Sequence, residues 1–515
     1  MSTCHNDWIA HHAARRPEAV ATVNLEDGRR LTYRVFDQRI ATLARHLQET
    51  CAVSPGVRVA LLAHNSTDTF ELQFACFRLG AIFVPLNWRL ALPELDAIIA
   101  DCTPAVLIYD PEFGDVADEL TRRHGIVHRL LRGPEESPYE RAIAAAQPLA
   151  APHRLMHDDV CTILYTSGTT GVAKGSIATH GMNFWNAVNC IGVAVLSPQT
   201  VLLCVLPLFH AAGLNIYANP TFYAGGTVAV TRRFDAGEAL RQLADPMLGV
   251  THLHGVPAHY QAMAAHADFA AADLSHVVGA FVGAAPVPVP LLETWRRKGV
   301  VLRQNYGMTE TGPLILNLEA ADAARKVDSA GKPVMHVEVR VVADAARDAA
   351  PGEVGELWVR GPAVTRGYWN QPEATRAAFA EGGWLRTGDA VRVDEEGFVT
   401  IVDRWKDMYV SGGENVYPAE VENVLYSHPE VAEAAVIGVP DSRWGEVGCA
   451  IVVRKNGAAV TEAELLAHCA TALARYKVPR TAMFVEALPR SAVGKVHKPT
   501  LRHQFRSSVS GNSQT

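Results

Sequence analysis

Between Tyr165 and Gly175 the chain gathers four hydroxyls (Thr166, Ser167, Thr169, Thr170), three glycines (Gly168, Gly171, Gly175) and one cation, Lys174. Glycine lets a backbone turn tightly and approach a ligand closely. Backbone N–H groups, hydroxyls and an ammonium are the donors that a polyphosphate needs. An ordinary surface loop shares the composition, but so many hydroxyls around two spaced glycines favour phosphate. The loop is not a Walker A motif, which ends Gly-Lys-Ser/Thr; here Ala173 precedes Lys174 and Gly175 follows it. A P-loop kinase or ATPase therefore loses its main support.

Other stretches carry residues of related chemistry. Asn305-Tyr306-Gly307-Met308-Thr309-Glu310 closes an apolar, strand-like run, the place where open α/β sheets put their ligands. Gly283-Ala284-Ala285-Pro286 ends another strand-like run, with residues small enough for a flat ring or chain to pass the backbone. Asp389 follows the turn Arg386-Thr387-Gly388, and Arg404 offers a planar fork suited to phosphate or ribose. Ser411-Gly412-Gly413 is a second glycine-rich loop ahead of a helix signal. His210 follows Pro207-Leu208-Phe209, where a satisfied core histidine explains it equally well. His252 and His254 alternate on a strand without a third ligand, which sets zinc aside.

The elements that must position these residues follow a βαβ rhythm. Leu31–Tyr33, Val57–Leu62, Ala81–Pro85 and Ala105–Tyr109 read as strands, with helices through Phe36, Ile40, Leu43 and Leu47, through Phe70, Phe74 and Phe77, and from Pro93 to Ile99. Val160–Leu164 is a buried strand leading into the hydroxyl-rich loop, and the chain then turns helical near His180. Further strands fall at Val201–Leu206, Thr227–Val230, Val250–His254, Val277–Val282 and Val301–Tyr306, so a large N-terminal α/β domain of parallel-rich sheets covered by helices is expected. From Val337 the period shortens to alternating strands with a hairpin at Asp394–Gly397, a small antiparallel unit. Beyond Asp403–Asp407 a helix opened by Pro418, strands at Val431–Val439 and Cys449–Val453, and a capping box of Thr461 and Glu464 describe an α+β domain. The expected division is 1–403, a hinge at 404–406, a mobile domain at 407–506, and a disordered Ser-rich tail at 507–515.

Composition bounds the rest. At 515 residues, 49% of them hydrophobic and 20% charged, the chain suits a large soluble enzyme of two or three domains. A net charge of −7 without a basic run speaks against nucleic acid or an anionic membrane, and no run is long enough to span a bilayer. Nine cysteines without a Cys-x-x-Cys pair read as reduced thiols, so a cytoplasmic protein is expected.

Taken together, the Thr166–Gly175 loop, the Tyr306-Gly307-Met308-Thr309-Glu310 run, Asp389, Arg404 and the late Pro489–Lys495 segment resemble the signatures of the adenylate-forming superfamily of acyl- and aryl-CoA ligases, luciferases and adenylation domains. The likeness covers almost the whole chain with the motifs in the family's order. Ala173, Val493 and Lys498 stand where the family usually has proline, threonine and arginine. The resemblance implies that Tyr306 packs on adenine, Thr309 hydrogen-bonds the α-phosphate, Glu310 holds Mg²⁺, Asp389 accepts from the ribose hydroxyls and Arg404 contacts the nucleotide. It implies a hinge at Lys406, a mobile catalytic cation at Lys495, a pantetheine tunnel lined by Ser411, Gly412 and Gly413, and a gating role for His210. It also implies an acyl pocket of Phe184, Trp185, His210, Gly213, Gly283 and Gly307, apolar enough for a fatty or aryl acid.

The function expected is therefore an ATP- and Mg²⁺-dependent ligase joining an apolar carboxylic acid to coenzyme A, with fatty acid metabolism one setting and a homodimer compatible with it. A freestanding enzyme loading a carrier protein shares the first half-reaction, but such enzymes usually carry an aspartate just after the Pro-x-Phe segment, where this chain has His210-Ala211-Ala212. A luciferase-like oxygenase and an inactive nucleotide-binding regulator are the remaining alternatives, and intact Glu310, Asp389 and Lys495 argue against the regulator.

Overall fold

Strands buried on both faces read as continuous apolar runs, and most of those anticipated above form, in two parallel-rich sheets, a number the apolar pattern leaves open. The computed structural model describes residues 3–133, 136–166, 173–344, 347–404, 407–411, 414–441, 444–490 and 496–505. Among the described residues, a nine-stranded sheet runs in the order Lys332–Pro333, Leu316–Asn317, Leu302–Tyr306, Gly279–Val282, His252–Gly255, Val201–Cys204, Thr227–Val230, Val20–Asn24, Arg30–Thr32. A six-stranded sheet runs His128–Leu131, Val106–Tyr109, Arg58–Leu62, Ile82–Pro85, Val160–Thr166, Lys174–Thr179. The interior strands of both pair in parallel.

The reason for two sheets lies in the helices between them. Every residue of the helix Asp68–Arg78 is buried, and a helix covered on all sides needs a partner on each. Its Phe70 and Phe74 share one apolar cluster with Leu61 and Phe83 of the smaller sheet and with Leu202 and Phe281 of the larger. Its polar residues are paired: Glu71 accepts from Arg39 at 2.6 and 3.1 Å and from Tyr139 at 3.1 Å, and Gln73 donates to Asn219 at 2.8 Å. Leu92–Cys102 and Gly114–His124 cover the outer face of the smaller sheet. Ala236–Ala244, Pro257–Ala265 and Val289–Arg297 cover that of the larger.

One difference concerns the chain after the hydroxyl-rich loop. The helix does begin at His180, but the preceding residues, Lys174–Thr179, first return as a strand antiparallel to Val160–Thr166, with Tyr165 opposite Gly175 and Thr166 opposite Lys174. Gly175 permits this approach, since a Cβ there would stand 2.7 Å from the Ile163 side chain. Thr179 ends the strand and caps the helix, its side chain accepting from the Met182 N–H.

The small antiparallel sheet is built from Glu338–Asp344, Val354–Arg360, Trp384–Val393 and Val399–Arg404, flanked by two short strands. Arg404 ends its last strand, and Tyr409 begins the C-terminal sheet, whose core holds Tyr409, Val436, Val452 and Leu465. Asp403 accepts from the Ala419 N–H at 2.9 Å, in the first turn of the helix Pro418–Tyr426. Thr461 and Glu464 form the anticipated capping box, with N–H to side-chain distances of 2.8 and 3.4 Å. The expected hinge residue Lys406 and the 507–515 tail lie outside the described residues.

The N-terminal segment is fastened beside the start of the helix His180–Ala194. The His5 N–H donates to the Leu155 carbonyl at 2.9 Å, and the Gly181 N–H to the His157 carbonyl at 2.8 Å. The His5 ring lies 4.6 Å from that of His180 and 5.8 Å from that of His157. Burial, and then the neighbouring His157, hold His5 down to about 4 against the pull of Asp7, and burial holds His180 far below its ordinary value. A histidine that the fold keeps neutral contributes stability that is complete above its unfolded value of 6.5 and is lost as the pH falls toward 4. The thermal midpoint should therefore drop between pH 6.5 and pH 4, and less steeply in His5→Phe than in the natural chain. Equal slopes in the two proteins would place the acid sensitivity elsewhere.

Candidate active site

Three sheets converge where the chemistry-bearing residues gather. Tyr306 ends the strand Leu302–Tyr306 of the nine-stranded sheet, Lys174 begins the return strand of the hairpin, and Asp389 lies within Trp384–Val393 of the antiparallel sheet. The Tyr306 hydroxyl donates to the Asp389 carboxylate. Asp389 is buried, and its own N–H donates to Thr387 Oγ1 at 3.1 Å. Arg404 is its direct backbone partner across the antiparallel pair, so a turn and a register bring together two residues well apart in sequence.

Beyond Tyr306 the chain makes a short turn, Thr309–Thr311, tied at both ends by Thr311: the Met308 N–H donates to Thr311 Oγ1 at 3.1 Å, and Thr311 Oγ1 donates back to the Met308 carbonyl at 2.9 Å. The turn holds Glu310, whose carboxylate is 6% exposed and accepts from the Tyr368 hydroxyl at 3.0 Å. Tyr368 was not singled out in the sequence. It belongs to a strap, Thr365–Gln371, that binds the hairpin to the Glu310 turn. The Thr365 N–H donates to the Glu310 carbonyl at 2.7 Å, while its hydroxyl donates to the Ile177 carbonyl at 2.7 Å. The Ile177 N–H donates to Gly367 at 3.1 Å, and the Trp369 N–H to Gly175 at 2.8 Å. Lys174 Nζ stands 5.2 Å from the centre of the Tyr368 ring. The available signal was a Gly-Tyr-Trp run outside any periodic segment, where neither a core face nor a turn accounts for two aromatics.

The glycines of the expected acyl pocket are required for a reason other than the one anticipated. A Cβ at Gly213 would lie 2.2 Å from the Pro207 carbonyl oxygen, at Gly283 2.2 Å from Asn305 Oδ1, and at Gly307 1.7 Å from the Pro313 carbonyl oxygen. The protein's own chain closes on these positions, so glycine serves the packing of the walls and not simply the passage of a ligand. After Gly283, Ala284 takes a left-handed conformation (φ 68°), and Ala284, Ala285 and Pro286 are exposed. A non-glycine residue there carries strain of the kind that clusters at ligand sites.

The helix His180–Ala194 carries Phe184 and Trp185. Phe184 packs on His157 and Tyr223, and Trp185 on His336, whereas the ring beside His210 is that of Phe209, at 4.4 Å. The residue of that helix that turns to the site is Asn186, which donates to the Asn215 carbonyl at 2.6 Å and lies beside Gly312. Asn215 belongs to a turn of wide pitch, Ala212–Ile216, a form that recurs at functional positions. His252 is held by the Ala194 carbonyl at 2.8 Å, and burial pushes His254 down to about 3, so His254 stays neutral. Among the described residues no three His, Cys, Asp or Glu side chains converge to hold a metal ion, and no helix is long and apolar enough to cross a membrane.

Ser411 is buried at the end of Tyr409–Ser411, opposite Gly445. Ser167, Gly168, Thr169, Thr170, Gly171, Gly412, Gly413 and Lys495 lie outside the described residues, as does the side chain of Arg404. The flanks of the Lys495 segment are joined by the His497 N–H, which donates to the Pro489 carbonyl at 2.7 Å. Lys498, where the family commonly has arginine, keeps a cation paired with Glu422 at 2.8 Å.

The family models agree with this geometry. That of the AMP-binding enzymes matches residues 9–369, and that of the AMP-binding enzyme C-terminal domain matches residues 420–495. The chain belongs to the adenylate-forming AMP-binding enzymes. Within that family it is similar to a feruloyl-CoA synthase of Amycolatopsis, 44% identical over 97% of this chain and 98% of the relative. It is also similar to an indoleacetate–CoA ligase of Aromatoleum aromaticum, 39% identical over 96% of this chain and 97% of the relative. Among solved structures, ATP-bound MatB from Rhodopseudomonas palustris superposes with a TM-score of 0.91 at 31% identity, covering 98% of this chain and 99% of that one. As an adenylate-forming enzyme the chain is an AMP-forming acid–CoA ligase, with the large sheet domain and smaller C-terminal domain of that group.

The closest approach in the site yields a direct test. A methyl group at Gly307 cannot be accommodated without moving the turn that carries Glu310. Gly307→Ala should cut acid-dependent exchange of pyrophosphate into ATP at least tenfold and lower the thermal midpoint by a few degrees, since overpacking costs about 1–3 kcal/mol. Full activity in that variant would show that the turn does not set the chemistry.

Proposed function

We propose that this ligase activates an aromatic carboxylic acid in two steps at the junction of the three sheets. The observation that carries the reading is the convergence of an aromatic ring, Tyr306, a carboxylate beside it, Asp389, and a cation–carboxylate pair of side chains, Lys174 and Glu310, about one small region. These are the parts needed for adenine, ribose and a metal-bound triphosphate. The choice of an aryl acid is supported by relatives named for feruloyl and indoleacetate substrates.

In the first step a carboxylate oxygen of the acid attacks the α-phosphorus of ATP, the bond to the bridging oxygen breaks, and pyrophosphate leaves an acyl-adenylate. Thr309 hydrogen-bonds the α-phosphate, while Lys174 and the loop hydroxyls hold the β- and γ-phosphates. Lys495 neutralises charge developing at the α-phosphate. Glu310 is a buried carboxylate to which the Tyr368 hydroxyl donates, and a carboxylate so placed suits a metal shared with phosphates, so Glu310 would hold Mg²⁺. Such an ion supplies charge neutralisation on the phosphate oxygens.

In the second step the coenzyme A thiol gives up its proton to solvent, its sulfur attacks the acyl carbonyl to form the thioester, and the bond from the acyl carbon to the phosphate oxygen breaks, so that AMP departs. The C-terminal domain turns about Lys406 between the steps, withdrawing Lys495 and bringing Ser411, Gly412 and Gly413 to line the pantetheine route past His210. Such closure lets one site serve two reactions.

A panel of aliphatic and aromatic acids with coenzyme A, read as AMP release, tests the substrate class. Arylpropenoic or arylacetic acids should exceed fatty acids in kcat/KM by at least about tenfold, the scale on which an apolar pocket discriminates. Fatty acids turned over equally well would overturn the aryl assignment. Lys495→Ala should lose more than about a hundredfold of adenylate formation, as loss of a transition-state donor does, yet keep thioester formation from supplied acyl-adenylate. Equal loss in both steps would count against the turning domain.

A further inference from the structure

We propose that Tyr368 is a positioning residue that sets the Glu310 carboxylate and the Lys174 ammonium at a fixed spacing for a metal-bound polyphosphate. The inference rests on the proposed reading of Glu310 as the metal carboxylate and Lys174 as the phosphate cation. One side chain touches both charges. Its hydroxyl donates to Glu310 Oε1 at 3.0 Å, and its ring face lies 5.2 Å from Lys174 Nζ. The two charges arrive on different sheets, and no covalent segment shorter than the whole intervening chain relates them.

The Tyr368 backbone is pinned from three directions, so its side chain has a defined origin. Its N–H donates to Thr375 Oγ1 at 2.9 Å, on the helix Pro372–Ala378. Tyr368 and Ser176 form an antiparallel bridge to the hairpin. Gly367, with φ 136°, has no room for a Cβ, which would lie 2.4 Å from the Thr375 side chain. A hydrogen bond to a charged group fixes the plane of the carboxylate, and a ring face gives an ammonium a resting place that is weaker than a phosphate. The polyphosphate can thus take the lysine from the ring on arrival and return it on departure.

Two variants separate the two contacts. Tyr368→Phe keeps the ring and removes the donor, and Tyr368→Leu removes both. Equilibrium titrations without any acid, by calorimetry, compare MgATP, magnesium pyrophosphate and AMP, and the half-saturating free Mg²⁺ is measured in parallel. Tyr368→Phe should weaken MgATP and magnesium pyrophosphate about tenfold, the scale of a hydrogen bond to a charged group. It should raise the Mg²⁺ requirement and leave AMP affinity unchanged, because AMP lacks the β- and γ-phosphates. In the Tyr368→Leu background, Lys174→Ala should cost less in MgATP affinity than it costs in the natural chain. AMP weakened in step with MgATP would mean that Tyr368 merely supports the fold, and no change in either would equally overturn the proposal. Glu310→Gln distinguishes the underlying reading: if it leaves the Mg²⁺ requirement unmoved, Glu310 is not the metal carboxylate. If it raises that requirement while Tyr368→Phe does not, only the positioning role fails.

Discussion

The strap Thr365–Gln371 is the contact on which the arrangement of the site depends. It lies against the hairpin through backbone hydrogen bonds and against the Glu310 turn through another, so two sheets that already share an apolar cluster are also tied at the site by directional bonds. Hydrogen bonds of this kind contribute modestly one at a time, but here they are directional and few. Side chains that must act together, Lys174 and Glu310, inherit their relation from backbone geometry. The shared apolar cluster holds the sheets together; the strap fixes the Glu310 turn against the hairpin.

Much of the fold was legible because doubly buried strands leave continuous apolar runs and helix faces repeat at three and four residues. The strands at Val106–Tyr109 and Thr227–Val230, the helix begun at His180 and the Thr461 capping box were all readable in that way. The division into two sheets was not, because periodicity marks an element as buried without saying how many partners bury it. The hairpin strand Lys174–Thr179 escaped for a related reason. Its Lys-Gly-Ser start carries no apolar signal, and its pairing is decided by Val160–Thr166 and by the strap, both outside the local window.

Of the candidate site, the polar residues at strand ends were singled out by type and position; the Tyr306 hydroxyl donates to Asp389, and Glu310, four residues after Tyr306, accepts from Tyr368. Tyr368 and Asn186 were missed because an aromatic in a loop and an amide in a helix have many ordinary uses. Only their placement, on Glu310 and beside Gly312, gives them meaning. Phe184 and Trp185 are neighbours on one helix. Adjacent residues on a helix point roughly 100° apart, following 3.6 residues per turn, and the two rings pack on different neighbours, Phe184 on His157 and Trp185 on His336.

The hairpin strand Lys174–Thr179 is the last of its sheet. A terminal strand presents unpaired N–H and carbonyl groups that can recruit strands from other molecules. The strap occupies that border: Ser176 bridges Tyr368, Ile177 donates to Gly367, and Trp369 donates to Gly175. The segment that relates the site's charges is therefore also a guard against self-association. A chain with the strap displaced would expose that border and lose the Tyr368 contact to Glu310 at once.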